Sequence, residues 1–187
     1  MMIRRWWSWV AFAVVLSGCS DDPFAVRWEA DPQESIVYAL DAEELGVATA
    51  FDMAGRRPVV IEDPSLEGNW DFAVDRESGQ MVFLPASVLG VTSRAAIVEY
   101  PGMSFDEVGE APADTTLYVS DEPVAVQLGT IYVIRTHEQR ERGGFGRQCV
   151  FYGKLEPLEI DLELGRVRFV QDVSPDCNNR SLVPTSD

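Results

Sequence analysis

Basic residues are scarce in this sequence. The 187-residue chain has 15 Lys plus Arg against 31 Asp plus Glu, which gives a formal net charge of −16 at pH 7. A protein that binds DNA or RNA needs clustered Lys and Arg to neutralise phosphates, so we predict no nucleic-acid partner. Hydrophobic residues make up 46% of the chain, a share that excludes a wholly disordered protein. The length is typical of one domain with a tail.

Histidine occurs once, as His137. One histidine cannot supply a multi-histidine metal site, and the chain also lacks a G-x-S-x-G elbow, a phosphate-binding glycine loop and an H-E-x-x-H motif. We therefore predict a protein without catalytic residues or a metal site. Carboxylates are numerous enough that a glycosidase-like pair stays open as a further alternative, although the sequence marks no particular pair.

Long hydrophobic runs are absent. The apolar run at residues 10–16 is shorter than the roughly 20 residues of a membrane-spanning helix. Arg4 and Arg5 precede it and small residues end it, which is typical of a secretory signal peptide. The segment Leu16-Ser17-Gly18-Cys19 resembles the lipobox of bacterial lipoproteins, whose cysteine thiol receives a diacylglycerol before the signal is removed. We predict that residues 1–18 are the signal peptide and Cys19 the lipidation site; an ordinary cleaved signal is the alternative.

A lipid at Cys19 predicts the location of the protein. Each buried methylene contributes ~0.8 kcal/mol to membrane binding, so two or three acyl chains give a stable anchor in the cell envelope. Ser20 follows the cysteine, and lipoproteins without an aspartate at this position tend towards the outer membrane. We predict an outer-membrane lipoprotein in which the polar segment 19–34 is a tether. Loss of residues 1–18 removes two of the 15 basic residues and no acid, so 13 bases remain against 31 acids, a formal charge of −18.

The chain has three cysteines. If Cys19 carries lipid, Cys149 and Cys177 remain as an even pair in an oxidising compartment, and we predict a disulfide between them. The chain-entropy model gives about 3–4 kcal/mol of stabilisation for a loop of this length. A metal site is the weaker alternative, because two separated cysteines and one histidine lack the spacing of zinc ligands.

Short β-type runs separated by turn signals every 8–12 residues indicate an all-β fold, and no segment sustains helical periodicity. We predict a single antiparallel β-sandwich or meander domain over residues 35–175, with short helical turns at 41–45 and 85–89 and a C-terminal tail at 176–187. The predicted strands are 35–40, 47–52, 59–61, 70–75, 81–84, 94–100, 115–118, 124–126, Thr130–Arg135, 149–155, 158–162 and 166–171.

The last third of the chain predicts an antiparallel meander. The strand at 130–135 is followed by one at 149–155, and Gly165 marks a hairpin turn before the strand at 166–171. Four apolar residues alternate with acids between 158 and 164, which predicts one buried and one acidic face. These four are Leu158, Ile160, Leu162 and Leu164.

Several short motifs occur in a recognisable order. They are Thr49-Ala50-Phe51-Asp52-Met53-Ala54-Gly55, Trp70-Asp71-Phe72-Ala73-Val74, Ser104-Phe105-Asp106-Glu107-Val108, Thr130-Ile131-Tyr132-Val133-Ile134-Arg135-Thr136 and Tyr152-Gly153-Lys154-Leu155. This order, over residues 45–171, is similar to the HmuY-like lipoproteins, a group of all-β envelope proteins some of which bind haem. The resemblance implies haem as a cofactor, held through two His or two Met side chains.

The single histidine excludes a bis-histidine haem site within one chain. Met103, in a turn, and His137, at the end of a strand, are therefore the candidate cofactor-binding residues. A solvated loop position is the alternative for His137, whereas Met53 and Met81 fit core packing. The Trp70-Asp71 pair is predicted to be structural, with Asp71 accepting hydrogen bonds from a nearby turn.

The loop at residues 135–147 concentrates arginine in an acidic protein. It contains Arg135, Arg140, Arg142 and Arg147, and guanidinium groups bind carboxylates and phosphates well. Haem propionates or lipid headgroups are possible ligands, and a solvated hairpin is the alternative. We therefore predict a non-catalytic envelope lipoprotein that binds a ligand, with haem implied by the resemblance. The alternative is a structural or protein-interaction lipoprotein of the outer membrane without a cofactor.

Overall fold

Two five-stranded antiparallel sheets pack face to face in the computed structural model, which describes residues 28–63, 68–140 and 148–184. The all-β prediction is confirmed. Among the described residues no helix has the length and apolar character needed to cross a membrane. The predicted signal peptide, Cys19 and the first part of the tether lie outside the described residues.

The first sheet has the order β1-β12-β11-β8-β6 and the second sheet β3-β2-β4-β5-β7, while β9 and β10 form a separate small hairpin. The strands are β1 (Gln33–Tyr38), β2 (Ala50–Asp52), β3 (Arg57–Val59), β4 (Phe72–Glu77), β5 (Gln80–Pro85), β6 (Ala96–Pro101), β7 (Val124–Ala125), β8 (Thr130–Arg135), β9 (Gln139–Arg140), β10 (Gln148–Cys149), β11 (Tyr152–Asp161) and β12 (Arg166–Val173). Short 3-10 helices occupy Ala86–Leu89 and Thr115–Leu117.

The predicted meander of the last third is present as β8, β11 and β12. Tyr152 of β11 lies opposite Arg135 of β8, and Gly153 lies opposite Val173 of β12. Gly165 adopts a φ of +63° in the turn between β11 and β12, a left-handed conformation that favours glycine. The ends of β8 and β12 are therefore held beside the start of β11, and this brings the candidate site together.

The predicted buried face at 158–164 is wrong for three of its four apolar residues. Leu158, Leu162 and Leu164 are 37%, 46% and 56% exposed, whereas Ile160 is partly buried and packs against the inner core. Leu158 lies at a β-bulge that shifts the register between Pro157 and Glu159. Leu162 and Leu164 are exposed because β11 ends at Asp161 and the chain then turns towards β12.

Two other local predictions are also wrong. Most of the strand predicted at 115–118 is instead the 3-10 helix Thr115–Leu117, because the Asp114 carboxylate accepts the backbone N–H of Thr116 at 2.9 Å and caps the turn. Residues 41–45 form turns without a helix, whereas the second predicted helical turn exists as Ala86–Leu89.

The inner core lies between the two sheets and is rich in aromatic side chains. Phe72 contacts Phe83 edge-to-face with ring centroids 4.9 Å apart, and Phe83 contacts Tyr132 in the same way at 5.1 Å. Such pairs contribute about 0.5–1.5 kcal/mol beyond their buried area. The Tyr132 hydroxyl is satisfied, since it donates to Ala125 O at 2.7 Å and accepts from Gln127 N at 2.9 Å.

A further apolar cluster covers the outer face of the first sheet and includes the end of the chain. Leu182 is 2% exposed, and its N–H donates to Gly109 O at 2.9 Å. Lys154, which is 3% exposed, donates through Nζ to Phe105 O at 2.6 Å and to Val108 O at 3.0 Å. Residues 176–184 are therefore packed on the domain rather than forming a separate tail, and β1 begins within the predicted tether, at Gln33.

One buried residue of the inner core has no hydrogen bond for its side chain. Gln171 is fully buried on β12, and neither its amide nitrogen nor its amide oxygen has a partner among the described residues. We expect Gln171→Leu to raise the free energy of unfolding by about 1–3 kcal/mol, because an unpaired buried polar group costs that much. Urea denaturation tests this, with exposed Gln80→Leu as the control, and a loss of stability in Gln171→Leu would contradict it.

Candidate functional site

Four segments meet at one end of the sandwich and form the candidate site. They are the β2–β3 turn, the segment after β8, the β9–β10 hairpin and the segment after β12. Backbone hydrogen bonds hold two of them to the start of β11: Thr136 N donates to Phe151 O at 2.9 Å, and Ser174 N donates to Tyr152 O at 2.9 Å. The antiparallel meander therefore fixes the frame of the site.

The predicted disulfide between Cys149 and Cys177 is present at this end. Their Cα atoms lie 5.2 Å apart, within the usual range for a disulfide. Asn178 reinforces the link, because its N–H donates to Val150 O at 2.9 Å and its side-chain oxygen accepts Val150 N at 3.2 Å. The bridge joins the β9–β10 hairpin to the segment after β12.

A buried aspartate organises the other side of the site. Asp71, which is 1% exposed and directly precedes β4, accepts the backbone N–H of His137 at 2.6 Å through Oδ1. The same oxygen lies 2.7 Å from Nδ1 of His137, and Oδ2 accepts Met53 N at 2.7 Å. With Nδ1 assigned as the protonated ring nitrogen, Asp71 accepts three N–H groups. Two belong to His137 after β8 and one to Met53 in the β2–β3 turn, so the carboxylate links two segments that are distant in sequence.

His137 is therefore not a solvated loop residue, and that interpretation is wrong. It is 7% exposed, because the segment after β8 turns inward onto Asp71. The structural interpretation of Asp71 agrees with its contacts, since it accepts the N–H of Met53 in the β2–β3 turn.

Met103 and His137 lie at opposite ends of β8. Pro101 pairs with Thr130 at one end and Ala96 pairs with Arg135 at the other, so Met103 follows the end of β6 that is remote from His137. A rise of ~3.3 Å per residue places the two ends of the segment from 130 to 137 roughly 20 Å apart. The two candidate ligands cannot bind one iron together. Met53 and Met81 are 0% and 1% exposed and belong to the inner core.

Asp52 completes a group of three ionisable side chains. One potential ligand atom from each of Asp52, Asp71 and His137 lies within 4.8 Å of the others, a set of residue types that could hold a metal ion. Most of their lone pairs already have donors: Asp52 accepts Gly55 N at 2.9 Å and Arg57 Nε at 3.1 Å. The arrangement fits a hydrogen-bonded structural unit.

Burial and pairing shift the pKa values of this unit. Burial raises the pKa of the Asp71 carboxyl, and the hydrogen bonds from His137 and Met53 offset only part of that increase. Burial lowers the pKa of His137, but its hydrogen bond to Asp71 and the charges of Asp71 and Asp52 together raise it above the ordinary value. The pair therefore retains its shared proton to a higher pH than a free histidine does.

This shift predicts a pH dependence of stability. Because the folded pKa of His137 is raised above its unfolded value of about 6.5, its stabilisation is complete below pH 6.5 and is lost as the pH rises through the folded pKa. The slope reaches at most about 1.4 kcal/mol per pH unit for one proton. Urea denaturation between pH 6 and 9 measures it, and we expect the double variant Asp71→Asn with His137→Gln, which removes both groups of the pair, to abolish the slope. A stability that rises over this range would contradict the prediction.

Two adjoining cavities lie at this end of the sandwich. The first, termed the disulfide cavity, has a volume of about 330 Å³ and is lined by Ala54, Arg56, Gln139, Arg140, Phe151, Val173, Ser174, Pro175, Asp176 and Cys177. The second, termed the histidine cavity, has a volume of about 360 Å³ and is lined by Asp52, Gly55, Arg57, Asn69, His137, Glu138, Gln139, Arg140 and Gln148. Both volumes lie near the lower end of the roughly 300–1,000 Å³ of ligand sites.

The arginine-rich loop contributes one residue to both cavities. Arg140 lines each of them, and its anion-binding role stays a prediction. Arg135 instead lies with Cζ 5.1 Å from the centroid of the Tyr118 ring, and its Nε donates to Arg94 O at 2.9 Å. Arg142 and Arg147 lie outside the described residues.

Sequence reasoning missed two polar residues of the disulfide cavity. Ser174 is fully buried, and its hydroxyl has no partner among the described residues; the same holds for the side-chain amide nitrogen of Gln139. Neither residue belongs to a local sequence motif. Gln139 lies in the segment after β8 and Ser174 in the segment after β12, so the two are distant in sequence. Only the antiparallel pairing of both strands with β11 could have indicated that they meet.

No protein-family model and no curated protein matches this sequence. The resemblance to HmuY-like lipoproteins therefore stays a prediction, and the chemistry of the site itself is the guide to function. That chemistry combines a fixed frame, a ligand-sized cavity and buried polar groups that have no partner among the described residues.

Proposed function

We propose that this protein is a lipid-anchored envelope lipoprotein whose β-sandwich binds a ligand without transforming it. The disulfide cavity carries the proposal, because its lining leaves the buried Ser174 hydroxyl and the Gln139 amide without hydrogen-bond partners among the described residues. Ligand sites typically combine apolar walls with a few convergent polar groups. The predicted lipid at Cys19 supplies the anchor.

The contacts of the His137–Asp71 pair are those of a structural unit. A hydrolase triad uses such a pair to activate a hydroxyl or thiol beside the imidazole. Within the described part of the chain, no hydroxyl or thiol is hydrogen-bonded to the His137 ring. Asp71 also holds the N–H of Met53, so its contacts serve the geometry of the surrounding segments.

Haem, the cofactor that the resemblance implies, fits these residues poorly. The His137 side chain is 9% exposed, and Met103 lies at the far end of β8. A macrocycle needs open surface around the ligating nitrogen, which so buried a ring does not offer. The cavities favour a smaller ligand than haem.

Membrane attachment tests the anchor. We expect Cys19→Ser to release the protein from the membrane fraction, because the acyl chains that hold it depend on the Cys19 thiol. Fractionation followed by mass spectrometry of the intact protein measures this, and Ser20→Ala is the matched control that keeps both lipid and location. Retention of the Cys19→Ser protein in the membrane would overturn the lipid anchor.

A haem titration tests the cofactor that the resemblance implies. The chain without residues 1–18 and with Cys19→Ser is titrated with haem while the Soret band is recorded. We expect no saturable shift that depends on His137. A shift that disappears in His137→Ala would instead establish haem ligation. If no ligand binds, the protein-interaction alternative gains support, and the exposed Leu158, Leu162 and Leu164 are its candidate surface.

A further inference from the structure

Two buried polar groups at the disulfide cavity have no hydrogen-bond partner among the described residues. Ser174 is 0% exposed and lines the cavity, and its hydroxyl bonds to no described residue; the Gln139 amide nitrogen, at the same cavity, also has no such partner. About nine-tenths of buried polar groups in proteins are paired. The Gln139 amide nitrogen donates, and the Ser174 hydroxyl can donate as well as accept, so acceptor oxygens on a ligand would complete both groups.

One arginine at the cavity can pair with an anionic group of a ligand. Arg56 is neutralised by Asp172, whose Oδ1 lies 2.5 Å from its Nη2. Arg140 lines the cavity and makes no ion pair with any described residue. Asp176 also lines the cavity, and its carboxylate accepts Asn179 Nδ2 at 3.2 Å. Its negative charge disfavours a doubly charged anion such as phosphate.

The remaining lining is apolar. Phe151 is half-buried and packs against the inner core, and Val173 and Pro175 lie at the same cavity. A volume of about 330 Å³ has room for a small molecule only. The ligand therefore combines a compact acidic group with a small apolar group.

We propose that the disulfide cavity binds the carboxylate of a small organic monoacid. Arg140 pairs with the carboxylate, Ser174 and Gln139 donate to its two oxygens, and the apolar group lies against Phe151. A carboxylate supplies two acceptor oxygens and one charge, which matches this donor set. The inference rests on the proposed ligand-binding function and adds the chemical class of the ligand.

Calorimetry with a matched pair of probes tests the proposal. The chain without residues 1–18 and with Cys19→Ser is titrated with phenylacetate and with phenylacetamide, which differ only in the charged group. We expect the acid to bind at least about tenfold more tightly, and Arg140→Gln to remove about that factor. Arg168→Gln, which deletes an arginine of a surface ion-pair network on β12, is the control and leaves the affinity unchanged.

A second variant, Ser174→Ala, distinguishes loss of ligand binding from loss of folding, because the two are expected to change in opposite directions. Ser174→Ala removes a hydroxyl that has no partner, so we expect it to raise the melting temperature without ligand while weakening phenylacetate binding. A lower melting temperature would show that the hydroxyl is already paired, and this would overturn the assignment.

The two proposals fail in different ways. Equal affinities for phenylacetate and phenylacetamide overturn the carboxylate assignment, while the ligand-binding function stands. If neither probe binds saturably but haem does, the carboxylate assignment is likewise overturned while the ligand-binding function stands. Absence of binding in all three titrations overturns the ligand-binding function as well.

Discussion

Replacing Asp71 with alanine is expected to cost about 3–5 kcal/mol of unfolding free energy, the range measured when one partner of a buried pair is removed. The substitution strands the backbone N–H groups of His137 and Met53 and the Nδ1 of the His137 ring, all of which donate to this carboxylate. Each buried donor without a partner costs about 1–3 kcal/mol. Urea denaturation at pH 6, where the imidazole keeps its proton, measures the loss.

Two further variants show whether the loss in Asp71→Ala comes from its buried hydrogen bonds. Asp71→Asn preserves the shape and one acceptor oxygen but places an NH2 group against an N–H donor, so we expect a smaller loss than with alanine. Asp75→Ala removes a half-buried carboxylate whose hydrogen bond is to the neighbouring Arg76 N at 2.8 Å, and the expected change is below about 0.5 kcal/mol. A loss under 1 kcal/mol in Asp71→Ala would mean that water replaces the carboxylate.

The sequence predicted the strands that have a local signal and the layers they form. The segment Thr130–Arg135 is bounded as the structure has it, because β-branched and aromatic residues lie between a glycine and a charged loop. The hairpin at Gly165 follows from the turn residue. The prediction for 158 to 164 failed at Leu158 because a bulge leaves no mark in a period-two alternation, and at Leu162 and Leu164 because the alternation continues past the end of the strand at Asp161.

The candidate site was less accessible to sequence reasoning, because its contacts join distant segments. Asp71 and His137 are 66 residues apart in the chain, and nothing near His137 indicates that an aspartate of the second sheet will bury it. Arg140 was identified from composition alone, as one arginine of a cationic loop. Ser174 and Gln139 could be recognised only as groups whose burial leaves them without partners, and burial is a property of the fold.

The disulfide was predictable for a different reason, since cysteine pairing follows from number and compartment. Removing it with Cys149→Ala and Cys177→Ala together is expected to lower the free energy of unfolding by about 3–4 kcal/mol, the chain-entropy value for a loop with a sequence separation of 28. Alanine suits the buried Cys149 position, which is 1% exposed. Guanidinium denaturation of the variant and the oxidised parent measures the difference.

The same cysteine variant separates two effects of the disulfide, its restriction of the unfolded chain and its support of the cavity wall in the folded protein. If the disulfide acts only by restricting the unfolded chain, the native cavity keeps its shape and phenylacetate affinity is unchanged while stability falls. Cys177 lines the disulfide cavity beside Asp176, however, and Asn178 holds Val150 through two hydrogen bonds. Asn178→Ala in the oxidised protein tests whether those bonds alone keep the wall in place. A stability loss below 1 kcal/mol in the cysteine variant would contradict the chain-entropy account, because the unfolded chain loses its restriction whether or not Asn178 keeps its hydrogen bonds in the folded state.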